Sequence, residues 1–415
     1  MTVTKLAHPS FKSRLINKST KLADVCYEIR GPILETATQL EAAGESVLKL
    51  NIGNPAPFGF YAPETVLRSV SSHLFDAQGY VDSKGIVSAR QAVKNECDKW
   101  GIPNVGLEDI YLGNGVSELI VMSMQGLLNN GEEVLVPAPD YPLWTAAITL
   151  AGGIPVHYTC DESSDWQPDL NDIRAKTNHR TVGIVVINPN NPTGAVYTRE
   201  ILQEIADWAA ESDLVLLADE IYSKIVFDEA EYIPCSSLND DCLTLTFDGL
   251  SKAYRLAGFR SGWMVISGDK QRAADYIEGL NILASMRLCA NVPAQYAIEQ
   301  SLTGPQSILD MTKSEGSLYE KREVTYDLLT QIEGISCVKP KGAFYMFPKV
   351  DIRNFRIFDD EQMVLDLLNS QKILVVHGTG FNHPTPDHFR LVFLPSIPEL
   401  RDAMSKIKVF FEGYL

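Results

Sequence analysis

The sequence predicts an α/β protein with a large domain on a mostly parallel central sheet and a smaller α+β domain. Short, apolar and β-branched runs at residues 134–136, 183–187, 214–218 and 243–247 are typical of strands covered on both faces. Helical patterns lie between such runs. A chain of 415 residues is also too long for a single compact core, which favours two domains.

One connecting helix can be recognised directly from its spacing. Ile201, Ile205 and Trp208 follow Thr198 at intervals that place them on one helical face, and threonine is a preferred residue before a helix start. A helix here returns the chain so that the flanking strands pair in parallel.

The pattern changes after about residue 300. A long polar helical stretch at 307–332 leads to short strand-like segments at 344–347, 373–376 and 389–393. Helices and strands that are not in regular alternation predict an α+β unit.

These observations set the expected domain limits. The large domain is expected at residues 47–298, and the smaller domain is expected to combine residues 1–46 with 299–415. No Gly/Ser-rich linker separates them, so we expect them to pack closely around a cleft.

Charge and cysteine usage exclude several classes of function. The net charge of −17 argues against nucleic-acid and anionic-membrane partners, which need a basic surface. Seven scattered cysteines without a C-x-x-C pair indicate neither a disulfide framework nor a zinc site, so we expect a cytoplasmic protein and no metal. Residues 1–23 contain five basic and no acidic residues. A frayed basic arm is favoured there over a transit peptide.

Two motifs lie where strands are expected to end, which is where α/β sheets bind ligands. In Leu112-Gly-Asn-Gly-Val-Ser-Glu118 the glycines permit close backbone approach, and Ser117 is expected to cap the following helix. The N–H groups of Val116 and Ser117 would then form an anion site, although a plain turn before a helix fits equally. In Asn188-Pro-Asn-Asn-Pro-Thr-Gly194 the prolines enforce an irregular loop that presents asparagine amides.

Two further motifs carry charged groups. Asp219, in Asp219-Glu-Ile-Tyr222, ends an apolar strand and needs a partner, either a cationic ring nitrogen of a ligand or a buried arginine. In Gly249-Leu-Ser-Lys-Ala-Tyr-Arg-Leu-Ala-Gly-Phe-Arg260, Lys252 can reach the cleft and Arg260 adds a permanent cation suited to phosphate. A lone lysine is usually a surface residue, but this context favours a functional one.

In this order and spacing the four motifs resemble those of the fold-type-I class I/II aminotransferases, which use pyridoxal 5′-phosphate. The resemblance runs from Leu50-Asn-Ile-Gly53 to Phe389-Arg-Leu391, and residues 51–60, 248–255 and 284–293 resemble the bacterial alanine (glutamate–pyruvate) aminotransferases in particular. It implies a homodimeric enzyme of amino-acid biosynthesis. Such an enzyme would exchange an amino group between L-alanine/pyruvate and 2-oxoglutarate/L-glutamate.

The resemblance also implies roles for individual residues. Lys252 would carry the cofactor as a Schiff base and move the substrate's Cα proton, while Asp219 would keep the pyridine nitrogen protonated. The other implied cofactor contacts are Tyr222 and Asn191 at the 3′ oxygen, Tyr141 and Ile221 on the ring faces, and Val116, Ser117 and Arg260 at the phosphate.

Substrate contacts follow from the same resemblance. Arg390 would clamp the α-carboxylate, with the backbone of Gly53 and the amide of Asn191 beside it. Tyr80 matches a tyrosine that reaches the neighbouring subunit's phosphate. Tyr141 is expected to crowd the substrate side chain.

Three positions leave alternatives open. Tyr27 and Arg30 belong to a segment that resembles the part folding over the active site, where they would shrink the pocket or meet a second carboxylate; a helix start with a solvated arginine fits equally. Many relatives carry serine where this chain has Gly249. Either Ser251 replaces that phosphate contact or the contact is lost.

Other activities on a related scaffold stay open at this point. An aminotransferase with another donor preference, a β-lyase or a cyclopropane-forming synthase would use the same Lys, Asp and Arg set. A regulatory protein with an aminotransferase-like sensor domain would need a DNA-binding segment, and the residues before Leu50 offer only a basic arm.

Overall fold

The computed structural model describes residues 16–22, 25 and 31–413. Its strands, in chain order, are β1 (Leu48–Lys49), β2 (Ile110–Gly113), β3 (Glu133–Ala138), β4 (Ile154–Asp161), β5 (Gln167–Pro168), β6 (Thr181–Ile187), β7 (Val215–Asp219), β8 (Thr244–Gly249), β9 (Gly262–Ser267), β10 (Ile335–Ser336), β11 (Tyr345–Met346), β12 (Lys349–Val350), β13 (Ile373–Leu374), β14 (Val376–His377) and β15 (Phe389–Val392).

The helices surround and connect these strands. In chain order they are α1 (Pro32–Ala42), α2 (Glu64–Ser72), α3 (Val87–Lys99), α4 (Val116–Leu127), α5 (Leu143–Ala151), α6 (Leu170–Lys176), α7 (Arg199–Glu211), α8 (Ala274–Met286), α9 (Val292–Thr303), α10 (Ser307–Thr312), α11 (Ser317–Thr330), α12 (Ile352–Phe355), α13 (Asp360–Gln371) and α14 (Ile397–Glu412).

The central sheet has eight strands in the order β2-β9-β8-β7-β6-β3-β4-β5. The inner strands pair in parallel, whereas β9 and β5 join antiparallel. Strand β7 is buried along its whole length, because helices cover both faces of the sheet. The α/β prediction for the large unit and the four predicted inner strands are confirmed.

Helix α7 begins after Thr198, whose hydroxyl accepts a hydrogen bond from the Ile201 amide, as the sequence predicts. The buried face differs slightly from the expected one. Ile205 lies at its centre, whereas Ile201 and Trp208 are only partly buried at its edges.

The structure also divides the long helical stretch expected at 307–332. Residues 313–316 separate α10 from α11, and the Gly316 site is crowded by the carbonyls of Asp310 and Met311.

The C-terminal part contains short strands, with β11, β15 and β14 forming one antiparallel sheet. Strand β1 pairs in parallel with β13, and the Val392 amide donates to the carbonyl of Leu50. Residues 48–50 therefore connect the start of the chain to this C-terminal sheet.

The domain limits at 47 and 298 stay a prediction. None of the helices within the described ranges combines the length and apolarity needed to span a bilayer.

Candidate active site

A cavity of about 240 Å³ lies beyond the carboxyl ends of β6, β7 and β8, and β11 and β15 contribute its opposite wall. Parallel strands end at one edge of the sheet, so the loops after them bring distant residues together. The predicted residues that line this cavity are Gly53, Val116, Ser117, Tyr141, Asn191, Asp219, Ile221, Tyr222, Ser251, Lys252, Arg260 and Arg390.

Three predicted residues do not belong to this set. Tyr80 lies outside the cavity lining and is 81% exposed. Tyr27 and Arg30 lie outside the described residues.

Lys252 follows β8 and points its amine across the cavity. Its Nζ donates a hydrogen bond to the carbonyl oxygen of Gly53, at 2.8 Å. The amine also lies 5.8 Å from the centre of the Tyr222 ring. A primary amine that is held in a cavity by a neutral backbone carbonyl can be redirected towards a bound ligand, as a nucleophile or a base.

Asp219 ends β7 and is only 3% exposed. Trp144 donates its indole N–H to Asp219 Oδ2 at 3.1 Å, and the Ile221 amide donates to Oδ1 at 3.4 Å. Burial raises the pKa of Asp219 to about 6, while these hydrogen bonds oppose the rise. Among the described residues no arginine pairs with Asp219, as the buried-arginine alternative would require; its side-chain hydrogen-bond partner is the Trp144 indole. A buried carboxylate with so few partners favours a cation from a ligand in the cavity.

The anion end of the cavity combines a helix start with a guanidinium. Helix α4 begins at Val116 after Gly115, whose φ of 81° suits glycine. The expected cap is wrong: Ser117 lies inside the first turn, and the helix has no side-chain cap. A Cβ at Gly115 would lie 2.5 Å from Arg260 Nη2, so glycine allows the arginine to approach the helix start. The N–H groups of Val116 and Ser117, in the first turn, and this cation suit a phosphate.

The packing around Gly249 explains why this chain has glycine where many relatives have serine. It pairs with Gly262 across β8 and β9. A Cβ there would lie 2.9 Å from Gly262 Cα and 3.0 Å from the Ser261 carbonyl oxygen, so serine would push the two strands apart. Ser251, two residues on, lines the cavity instead.

Arg390 lies on β15 and is 7% exposed. Its Nη1 donates to Asn191 Oδ1 at 2.8 Å, and its Nη2 donates to the carbonyl of Asn51. The guanidinium stacks between Tyr345 and Phe381, with its carbon 4.4 and 4.5 Å from the two ring centres. Within the described chain, Arg390 Nε and Asn51 Oδ1 have no hydrogen-bond partner. A buried cation without a carboxylate partner is suited to binding one from solution.

In the loop at residues 188–194, which prolines bracket, the three asparagines have different roles. Asn188 Oδ1 accepts from the Tyr197 amide, and Asn190 Oδ1 accepts from the Thr193 hydroxyl. These two amides hold the loop together, so only Asn191 of the three asparagines lines the cavity.

The residues of this site that sequence reasoning missed include Asn51, Trp144, Tyr345 and Phe381. Tyr345 had one signal, a polar hydroxyl within an apolar strand that needs a buried partner. Its Oη lies 2.6 Å from Tyr222 Oη. Trp144 lies on α5. No sequence signal indicated its role, because its contact with Asp219 depends on how α5 packs on the sheet.

Comparison with known proteins agrees with this geometry. The family model described as "Aminotransferase class I and II" matches residues 45–407. A glutamate–pyruvate aminotransferase of Escherichia coli K12, AlaA, is 59% identical over 399 residues, covering 96% of this chain and 98% of that protein. An alanine aminotransferase of Mycobacterium tuberculosis is 55% identical, covering 97% and 94%. The crystal structure of an aminotransferase from E. coli superposes with a TM-score of 0.95 at 58% identity, covering 97% and 99%.

Proposed function

Because the chain belongs to the class I and II aminotransferases, we propose that it transfers the amino group of L-alanine to 2-oxoglutarate, and that of L-glutamate to pyruvate. The observation that carries the substrate proposal is the 59% identity over 399 residues with a glutamate–pyruvate aminotransferase. The family fold is the one that the sequence predicts, fold type I. The cofactor is pyridoxal 5′-phosphate.

The cavity fits this cofactor at three separate points. The α4 start and Arg260 suit its phosphate, and Lys252 Nζ suits its aldehyde carbon. Asp219 is a buried carboxylate that accepts from the neutral Trp144 indole and, among the described residues, from no cationic side chain, which suits a protonated ring nitrogen. When bound, pyridoxal phosphate supplies a conjugated cationic ring that accepts the electron pair left when a proton leaves the substrate's Cα.

The chain's own groups then have distinct tasks. Lys252 Nζ would bind the cofactor and, once released, would take the substrate's Cα proton as a general base and deliver it as a general acid to the carbon of the cofactor's aldehyde. Asp219 would keep the cofactor's ring nitrogen protonated through the reaction. Its carboxylate can do so because Trp144 holds it in place and burial shields it from water. Tyr222 and Asn191 are assigned to the 3′ oxygen.

The remaining cavity residues orient the reactants. Tyr141 and Ile221 would cover the two ring faces. Arg390 would bind the α-carboxylate through its fork of N–H donors, exchanging its bond to Asn191 Oδ1 for a stronger charged one. The Gly53 backbone would lie beside the bound carboxylate, and the absence of a Cβ at Gly53 leaves room for Tyr345, because a Cβ there would overlap the Tyr345 hydroxyl.

We assign the active form to a homodimer in which Tyr80 completes the partner's site. Tyr80 is 81% exposed, and the nearby Phe75 is 83% exposed, so this part of the surface carries large uncovered rings. Such rings support an interface between two copies. A cytoplasmic location is our further assignment; it is supported by the six free cysteines among the described residues.

A donor screen tests the substrate proposal. Purified enzyme with pyridoxal phosphate is incubated with pyruvate or 2-oxoglutarate and each amino acid in turn, and donor loss and product gain are both measured. Alanine with 2-oxoglutarate and glutamate with pyruvate are the expected preferred pairs. A preference for aromatic or aspartate donors would overturn the alanine assignment alone, and ammonia release without a new amino acid would indicate a β-lyase.

Lys252→Ala is the matched control for this screen. Loss of the general base should lower turnover by about 10²–10⁴-fold and remove the visible absorbance of the lysine-bound cofactor. Far-UV circular dichroism should be unchanged. Full turnover in this variant would defeat the assignment of Lys252.

A further inference from the structure

Two histidines and an aspartate form a cluster outside the active cavity, on the loop that leads into β15. His383, Asp387 and His388 each offer one donor atom, and these atoms lie within 4.8 Å of one another. We propose that this cluster binds a divalent transition-metal cation of the zinc class. The cysteine spacing predicts no metal site, but the ligands of this cluster are histidines and an aspartate.

Two of the three separations between donor atoms are close to metal-binding geometry. Asp387 Oδ1 lies 3.2 Å from His383 Nε2 and 2.7 Å from His388 Nδ1. Two ligands on one tetrahedral zinc are separated by about 3.3 Å, because Zn–N and Zn–O bonds are about 2.0–2.1 Å long. The first separation already fits, and the second requires a shift of about half an ångström. Pro384 and Pro386 restrict the loop, so its donors are largely held in place before an ion arrives.

A second carboxylate, that of Glu162, lies next to the ring nitrogen of His388 that does not face Asp387. His388 Nε2 lies 3.5 Å from Glu162 Oε1 and makes no hydrogen bond within the described chain. Glu162 is in turn held by Lys349, whose Nζ lies 2.6 Å from Oε2. Metal-bound imidazoles usually donate their other N–H to a carboxylate, which fixes the tautomer and the ring orientation. Here that arrangement would leave Nδ1 of His388 as the metal ligand.

Charge and surroundings also suit a divalent ion. Asp387 and Glu162 carry two negative charges and Lys349 carries one positive charge, so the cluster with neutral imidazoles keeps one net negative charge. His388 is 0% exposed and stacks on Phe347, with ring centres 4.8 Å apart. This apolar side excludes water from the ligands. The His383 and Asp387 side chains are 10% and 11% exposed, which leaves a path for the ion.

The same loop borders the active cavity. Phe381 contacts Arg390 there, and the Asn382 amide donates to Asp140 Oδ1 at 2.6 Å, beside Tyr141. An ion that joins His383 to His388 would therefore hold the loop between the cavity wall and β15.

Metal titration of the holoenzyme tests this site. The full chain with its cofactor is treated with a chelator, dialysed, and titrated with Zn²⁺ by calorimetry and with Co²⁺ by visible absorption. No amino acid is added, because amino acids bind metals themselves. We expect one ion per chain, with the weak d–d bands of cobalt bound to nitrogen and oxygen.

Three variants make the test specific. His383→Gln removes a ligand and should weaken Zn²⁺ binding by at least about tenfold, and Glu162→Gln should weaken it by about tenfold through His388. His179→Gln changes an exposed histidine outside the cluster and should leave binding unchanged. Thermal unfolding without metal checks that each variant folds.

Each contrary result is decisive. No Zn²⁺ binding by wild type at micromolar concentration would overturn the proposal. So would His383→Gln and Glu162→Gln both folding and binding within twofold of wild type. An intense thiolate-to-cobalt band would place the ion on a cysteine instead and would also overturn the proposal. If His383→Gln fails to fold, Glu162→Gln alone decides.

Discussion

The hydroxyl oxygens of Tyr222 and Tyr345 lie 2.6 Å apart in the wall of the cavity. Tyr222 comes from the loop after β7, and Tyr345 comes from β11, on the opposite wall. Tyr345 also stacks on the Arg390 guanidinium. Burial and the neighbouring Tyr345 hydroxyl raise the pKa of Tyr222 well above its usual value, so the Tyr222 hydroxyl keeps its proton. This pair connects the group assigned to the cofactor with the group assigned to the substrate carboxylate.

Tyr345→Phe should reduce kcat/KM about two- to tenfold, equivalent to about 0.5–1.5 kcal/mol for one lost hydrogen bond. It should also shift the pH at which the visible absorbance of the lysine-bound cofactor changes, because Tyr222 loses its partner. Tyr111→Phe is the matched control, since Tyr111 is fully buried and its hydroxyl donates to Asn281 at 2.7 Å, outside the cavity lining. Equal effects of the two variants would reduce Tyr345 to a packing role.

Asp219→Ala should retain part of the cofactor but lose about 10²–10⁴-fold in turnover, because a neutral pyridine withdraws electrons poorly. Asp219→Glu keeps the charge and should be milder. Exchange of the alanine Cα proton with deuterated water measures the affected step directly. Wild-type exchange in Asp219→Ala would leave Asp219 with a structural role only.

Arg390→Lys keeps the charge but loses the planar fork of donors. It should cost about 1.5–3 kcal/mol of substrate binding, roughly a 10- to 150-fold rise in KM. The loss should be the same for alanine and glutamate, because both present an α-carboxylate. Arg68→Lys, at an exposed site, should change neither KM. A loss confined to glutamate would assign Arg390 to the side-chain carboxylate instead.

Tyr80→Phe should weaken retention of the cofactor during dialysis. Mixing Tyr80→Phe with Lys252→Ala under subunit exchange should produce hybrid dimers with one site that has both defects and one site that has neither. Specific activity should therefore exceed that of either variant alone. Activity equal to the average of the two homodimers would mean that Tyr80 serves its own subunit.

Buried acids predict how stability depends on pH. Burial raises the pKa of Glu220 from 4.5 to about 7, although Tyr232 and the Cys235 amide donate to it. The folded state therefore binds this proton more tightly than the unfolded state. That contribution is fully present below about pH 4.5 and is lost as the pH rises through about 7.

Glu220→Gln removes this titration. The stability of wild type relative to Glu220→Gln should fall between pH 5 and pH 8 by an amount on the order of 2–3 kcal/mol. Urea unfolding of both holoenzymes at several pH values measures the difference. Glu45→Gln, at an exposed acid, should give a constant difference across the same range. A constant difference for Glu220→Gln would contradict the assigned proton.

The sequence was most informative where function depends on local order along the chain. Apolar runs located the inner strands, and the residues just after them, Asp219 and Lys252, fell in the cavity because parallel strands share one carboxyl edge. Contacts between distant elements could not be predicted. Trp144 and Asp219 are hydrogen-bonded although 75 residues separate them in sequence, and Arg390 and Asn51 are hydrogen-bonded at a separation of 339 residues. The expected Ser117 cap failed because the residue before the helix is Gly115, two positions earlier in the chain.

The pairing of β1 with β13 affects the order in which the protein can fold during synthesis. Leu48 and Lys49 leave the ribosome early, but their partners Ile373 and Leu374 are made more than 300 residues later. At about 5–20 residues per second, this delay lasts roughly 15 s to a minute. Asn51 and Gly53, which hold Arg390 and Lys252, follow directly on β1. A nascent chain can thus form its central sheet, but its catalytic pocket closes only at the end of translation.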